Sequence, residues 1–359
     1  MAGYIKILQG GWFVSDMGYR SENIEKKVKP LKSSSWRKLA GFLAFEFIFL
    51  CLTTPFFIFF GPFQEVKRTV VGASWSTFSH QFIARFFLSD EAIARILGSA
   101  YAVDPTEHGE QLQELKFGNS HDQSIKVYNI DGGDFGGKLM VVSDPTRVAV
   151  GYSSQIPKSG ETTSVIAKKS GAVAAINAGG FLDRGWTGTG GAPMGFIIHD
   201  GKVAYNTAKS EDVRQDTVAF TKDGMLIVGK HTISQLKKLG VTEGVSFGPP
   251  LIVNGKPTIS KGDGGWGIAP RTAIGQKETG EVLLLVIDGR SLSSFGATLR
   301  DVQDILLNYG AVNAANLDGG SSTTMYFNKS VINKPSDKLG ERTVPSAFIV
   351  VPPKGGAGK

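Results

Sequence analysis

The sequence predicts an α+β domain of mixed β-sheets with a few helices and long Gly-rich loops, preceded by one transmembrane helix. Three observations predict it. An apolar run spans residues 39–60. From about residue 111, short β-rich runs alternate with Gly, Asp and Pro. Helical patterns in that part are few, at 162–170, 232–239 and 298–309.

Taken in order, residues 1–38 read as a basic tail with little core-forming pattern, carrying 8 Lys/Arg against 3 Asp/Glu. Residues 39–60 (LAGFLAFEFIFLCLTTPFFIFF) are long enough to cross roughly 30 Å of hydrocarbon as a helix. Lys26, Lys27, Lys29, Lys32, Arg37 and Lys38 precede the run, and only Lys67 and Arg68 follow closely. That bias predicts a single-pass signal-anchor with the N-terminus cytoplasmic and the C-terminal domain extracytoplasmic. A cleaved signal peptide is the rival, but the run is long and Gly61-Pro62-Phe63 is a poor cleavage site. Glu46 inside the run disfavours insertion if ionised, and a partner protein in the membrane is one way to accommodate it.

Residues 61–110 read as a helical stalk or linker. Phe78, Phe82, Ile83, Phe86, Phe87, Ile93, Ile96 and Leu97 recur at helical spacing, and Ser89-Asp90-Glu91 looks like an N-cap. A membrane-proximal hairpin is one form of this stalk, and an amphipathic helix lying on the bilayer is a secondary version. Residues 111–352 form the folded domain, with strand patterns at 125–130, 139–142, 148–152, 282–287 and 346–351. Residues 353–359 read as a flexible end.

Charge and cysteine narrow the function classes. Residues 61–359 carry 31 Lys/Arg against 28 Asp/Glu, so the high pI belongs largely to the tail, which suits anionic lipid. No basic stripe with interleaved aromatics appears, and no nucleic-acid partner is expected. The single cysteine, Cys51, lies in the apolar run, so disulfide frameworks and a thiol nucleophile are excluded downstream. The five histidines show no zinc-ligand spacing.

Four glycine-flanked polar clusters stand beside strand-like runs. Asn177 ends a small apolar run before Ala178-Gly179-Gly180. Ser246-Phe247-Gly248-Pro249-Pro250 enters a strand, followed by Pro270-Arg271-Thr272, where a cation opens another. Asp288-Gly289-Arg290 closes a fully apolar strand, and Asp318-Gly319-Gly320-Ser321-Ser322 closes a fourth run. The last can form a nest of N–H donors suited to phosphate. Singly, each of these is first of all a turn or a surface charge. No Gly-x-Ser-x-Gly elbow is present, so the serine pair is expected to bind and not to attack.

In combination and order, these clusters resemble the phosphodiester glycosidase family over residues 138–351. That family includes the lysosomal uncovering enzyme and bacterial envelope proteins labelled as exopolysaccharide biosynthesis proteins. The resemblance implies hydrolysis of a sugar linked through its anomeric carbon to a phosphodiester, here in an envelope glycan or exopolysaccharide. It assigns catalytic work to Asn177, Arg271, Asp288 and Asp318. Substrate and phosphate binding falls to Gly179, Thr272, Arg290, Gly319, Gly320, Ser321 and Ser322. Ser321 stands where many members have a third glycine, which bears on substrate choice. No cofactor is certain; a divalent cation on Asp288 and Asp318 is one option. Asp301 is a second-rank acid whose ordinary role is to cap a helix.

The chemistry agrees with the residue types. Anomeric C–O cleavage passes through an oxocarbenium-like state that a carboxylate stabilises or captures. The leaving phosphate monoester, with a second pKa near roughly 6, departs with little acid assistance. Two other classes remain: a non-catalytic glycan- or phosphate-binding module of a polysaccharide assembly system, and a phosphodiesterase cutting the P–O bond.

Overall fold

The computed structural model describes residues 33–75, 81–89, 92–93, 96, 122–182, 189–291 and 293–353. The basic tail through residue 32, the linker at 97–121 and the end after residue 353 lie outside the described residues. One long helix, Ser33–Phe60, carries an apolar stretch of membrane-spanning length at Trp36–Phe60. Phe56–Lys359 forms one compact unit.

The unit opens with two short helices, Gln64–Trp75 and Gln81–Phe87. Phe59, Val71, Ala84 and Ile93 make a small buried core of their own. Ser89 caps the turn that follows, its Oγ accepting from the Ala92 amide at 3.3 Å.

Three larger sheets follow, and every strand pairing among the described residues is antiparallel. The seven-stranded sheet runs Ile125–Asp131, Gly136–Val142, Val282–Ile287, Arg271–Lys277, Ala311–Leu317, Pro250–Val253, Lys256–Pro257. One five-stranded sheet centres on Val241–Val245, and the other on Ala174–Asn177.

Side chains alternate across a strand, so a sheet buried on both faces needs an uninterrupted apolar run. Val282–Ile287 is such a run: Val282, Leu284 and Val286 enter one core while Leu283, Leu285 and Ile287 enter another. The first core gathers Ile176, Phe348, Val218 and Phe220 from the two five-stranded sheets. The second is closed by Leu299, Val302 and Leu306 of the helix Leu299–Asn308. That helix begins with a reciprocal cap, in which Thr298 Oγ1 accepts from the Asp301 amide and the Asp301 carboxylate accepts from the Thr298 amide. Asp301 therefore holds a helix end.

Register sets where polar residues can gather. Thr272 lies opposite both Val286 and Leu317, and Arg271 opposite Ile287. The residues just past Ile287 and Leu317, Asp288 and Asp318, therefore leave the sheet at the same end at which Arg271 enters it. Asn177 ends the central strand of the neighbouring sheet, and the Asp318 amide donates to the Ala178 carbonyl at 3.0 Å.

Candidate active site

One turn of 3₁₀ helix, Gly320–Ser322, follows Asp318 and Gly319. Gly319 is required because a Cβ there would stand 2.7 Å from the Pro270 carbonyl oxygen. Gly320 has a left-handed φ of 63°, and its amide donates to the same carbonyl at 2.8 Å. The turn is thereby fixed to the start of the Arg271 strand.

Asp318 keeps part of its surface open, yet burial dominates its ionisation and pushes its pKa up to about 6. A hydrogen bond to Ser322, the charge of Arg342 and the Gly319 amide act in the opposite direction. Arg342 Nη1 donates to Ser321 Oγ at 3.3 Å, and its guanidinium lies 5.0 Å from the centre of the Phe181 ring. A Cβ on Gly320 would sit 3.3 Å from Arg290 Nη2. Two guanidinium groups thus approach adjacent residues of one turn, beside a desolvated carboxylate.

Asp288 uses Oδ1 to accept from Asn333 Nδ2 at 3.1 Å and from the Lys334 amide at 2.9 Å. Its carbonyl accepts from Ser294 Oγ. Asn333 also donates to the Thr323 carbonyl and accepts from the Met325 amide, so it joins Asp288 to the segment that follows the glycine turn.

Asn177 and Arg271 were expected to do chemistry, and their polar atoms are engaged inside the protein. Asn177 is 0% exposed. Its Nδ2 donates to the Asp318 carbonyl, and its Oδ1 accepts from Thr272 Oγ1 at 2.8 Å and the Thr324 amide at 3.0 Å. Arg271 is 4% exposed. Its Nε donates to the Ala297 carbonyl and its Nη2 to the carbonyls of Trp266 and Gly267. Thr272 is buried between Asn177 and Thr323. Gly179 donates its amide to Ser346 Oγ at 3.2 Å. Of these four, Asn177 is the one bonded to the Asp318 backbone.

Sequence reasoning overlooked Arg342 and Asn333. Arg342 stands beyond the last of the four clusters, beside no strand-end acid or asparagine, and the fold brings it back to Ser321. Among the described residues, no group of three or more His, Cys, Asp or Glu side chains could hold a metal ion. Asp288 already accepts two hydrogen bonds at Oδ1, and Asp318 has Ser322 and Gly319 as donors.

At one end of an antiparallel α+β domain, two strand-end acids, Asp288 and Asp318, thus stand with a glycine turn that two arginines approach. The chain belongs to the phosphodiester glycosidase family, whose description matches residues 170–351. The uncharacterized SPbeta prophage protein YomE of Bacillus subtilis is 30% identical over 216 residues, 58% of this chain and 32% of that protein. The N-acetylglucosamine-1-phosphodiester alpha-N-acetylglucosaminidase of Mus musculus is 25% identical over 247 residues, 61% of this chain and 46% of the mouse protein. The chain therefore spans less than half the length of either of these relatives. The catalytic domain of the zebrafish enzyme, auto-inhibited by its pro-peptide, superposes with a TM-score of 0.52 at 25% identity. That superposition covers 64% of this chain and 83% of the zebrafish chain.

Proposed function

We propose that this protein hydrolyses a sugar joined through its anomeric carbon to a phosphodiester. One observation carries the reading: the Asp318 carboxylate is set into a turn that Arg290 and Arg342 both approach. In this reading the two arginines and the Ser321 hydroxyl hold the phosphate as it leaves, while the Gly319 amide and Ser322 orient Asp318. Asp318, ionised, meets the positive charge developing at the anomeric carbon. Asp288 serves as the second carboxylate, oriented by Asn333 and the Lys334 amide. Asn177, Thr272 and Arg271 position these groups without touching the reacting atoms.

The same reading places the enzyme at a membrane. The apolar helix is the anchor, the basic tail lies on the cytoplasmic side, and the hydrolase domain faces outward. Its substrates are then phosphate-linked glycans of the envelope or exopolysaccharide.

Turnover of a glycosyl-1-phosphodiester in heavy-oxygen water tests the chemistry. Cleavage of the anomeric bond puts the label in the free sugar. Label in the phosphate means P–O cleavage and sinks the proposed bond choice. Absence of turnover across a panel of such diesters supports the binding-module class instead.

A further inference from the structure

We infer that the helical segment after the apolar helix is a second membrane contact, in which Phe82 and Phe86 enter the lipid interface and seat the hydrolase domain against the bilayer. The inference rests on the anchor reading above.

The inner face of this segment is satisfied. Phe59, Val71, Ala84 and Ile93 are buried together, and Phe87 stacks on Phe59 with ring centres 4.4 Å apart. The outer face is not. Phe82 and Phe86 lie one turn apart on the helix Gln81–Phe87, 67% and 81% exposed. Phe63 and Val66 are also exposed, at the start of the preceding helix. Two solvated phenylalanines on a seven-residue helix serve neither the local core nor the site.

Continuity identifies what covers them. Phe86 packs edge-on against Phe87 at 4.9 Å, and Phe87 packs against Phe56 at 6.1 Å. Phe56 belongs to the last turns of the apolar helix, where Phe56, Phe57 and Phe60 are themselves exposed. A ring-to-ring path therefore joins the outer patch to the membrane-length helix. Whatever covers one must reach the other, and hydrocarbon with an aromatic-rich boundary is the matching surface.

The patch is also coupled to the domain. Thr69 Oγ1 donates to Asp263 Oδ2 at 3.4 Å, and Gly72 has no room for a Cβ against the Gly265 carbonyl. The neighbouring carbonyls of Trp266 and Gly267 are the ones that hold Arg271. Seating the helices on lipid thus steadies the loop that holds Arg271.

The test uses the full chain in lipid bilayer discs, with Cys51→Ser as background and single cysteines carrying a nitroxide. Phe86→Cys probes the patch, Phe57→Cys the anchor and Val213→Cys the aqueous domain surface. Collision rates with oxygen and with a water-soluble nickel chelate are read for each. The expected result is an oxygen-to-nickel ratio at residue 86 several-fold above that at residue 213, approaching that at residue 57. A residue 86 ratio equal to that of 213, with 57 lipid-like, overturns the inference and leaves the anchor intact. Low collision with both reagents at 86 means a protein covers the patch, and also overturns it. Aqueous behaviour at 57 removes the anchor reading and this inference together. All three substitutions are at exposed side chains, so retained hydrolase-domain thermal unfolding checks that the fold is unchanged.

Discussion

Asn177 Oδ1 accepts a hydrogen bond from Thr272 Oγ1 at 2.8 Å, tying the end of one sheet to the start of the central strand of another. The opposite side of the same amide holds the Asp318 carbonyl. The backbone of the principal carboxylate is thus placed by a buried side chain from a different sheet.

Replacing that strut has a defined cost. Asn177→Ala leaves the Thr272 hydroxyl, the Thr324 amide and the Asp318 carbonyl without this partner, at about 1–3 kcal/mol per orphaned group. Asn177→Asp sets an oxygen against the Asp318 carbonyl and is the more damaging change. Thermal unfolding and kcat measured together check this: both fall, while KM moves less than kcat.

Asp318 gives a pH signature with a fixed sign. Its carboxyl is raised from 3.8 to about 6, so between those values the folded chain binds the extra proton. Stability attributable to this group therefore falls as pH rises from about 4 to about 6, then levels. Asp318→Asn removes that penalty and is more stable than the parent near neutral pH by up to about 3 kcal/mol, with no gain below about pH 4. Its turnover drops by about 1,000-fold or more. In the parent, kcat/KM declines as pH is lowered through about 6, because the ionised form acts.

Arg342 is expected to tune that limb. Its charge favours the ionised Asp318, so Arg342→Gln moves the acid limb to higher pH and raises KM. Arg342→Lys restores the limb but not KM, since lysine keeps the charge and lacks the planar fork. A pH profile of both variants distinguishes an electrostatic role from a merely structural one.

The glycine turn is tested by steric means. Gly319→Ala forces a methyl against the Pro270 carbonyl, to which the next amide is bonded. The expected loss is about 1–3 kcal/mol of stability with a fall in turnover. Gly136→Ala, where the nearest atom lies 3.8 Å away, stays within about 0.5 kcal/mol.

Much of the fold was legible because its punctuation is local. Thr162, Thr232 and Thr298 each precede a helical pattern, and each caps the helix that forms. The apolar run before Asp288 announced a strand buried on both faces. The strand-end positions of Asn177, Asp288 and Asp318 were readable for the same reason. Side-chain engagement was not. Whether a guanidinium meets phosphate or carbonyls depends on how the loops beside it fold: Arg271 is held by Trp266 and Gly267 of the loop just before it and by Ala297 from a later loop. Asn333 and Arg342 carry no local signal at all, since their partners come from other strands and turns.

The strand Ser346–Val350 lies between Ala174–Asn177 and Val148–Tyr152, so late chain completes an early sheet. Until that strand arrives, Asn177 ends an unfinished sheet. Pairings of this kind are slow to form, because the intervening loop must close first. During synthesis, closure of the sheet that carries Asn177 therefore waits for the segment after residue 345. A stop a few residues short of Val350 would leave an inactive, exposed edge instead of a weakened enzyme.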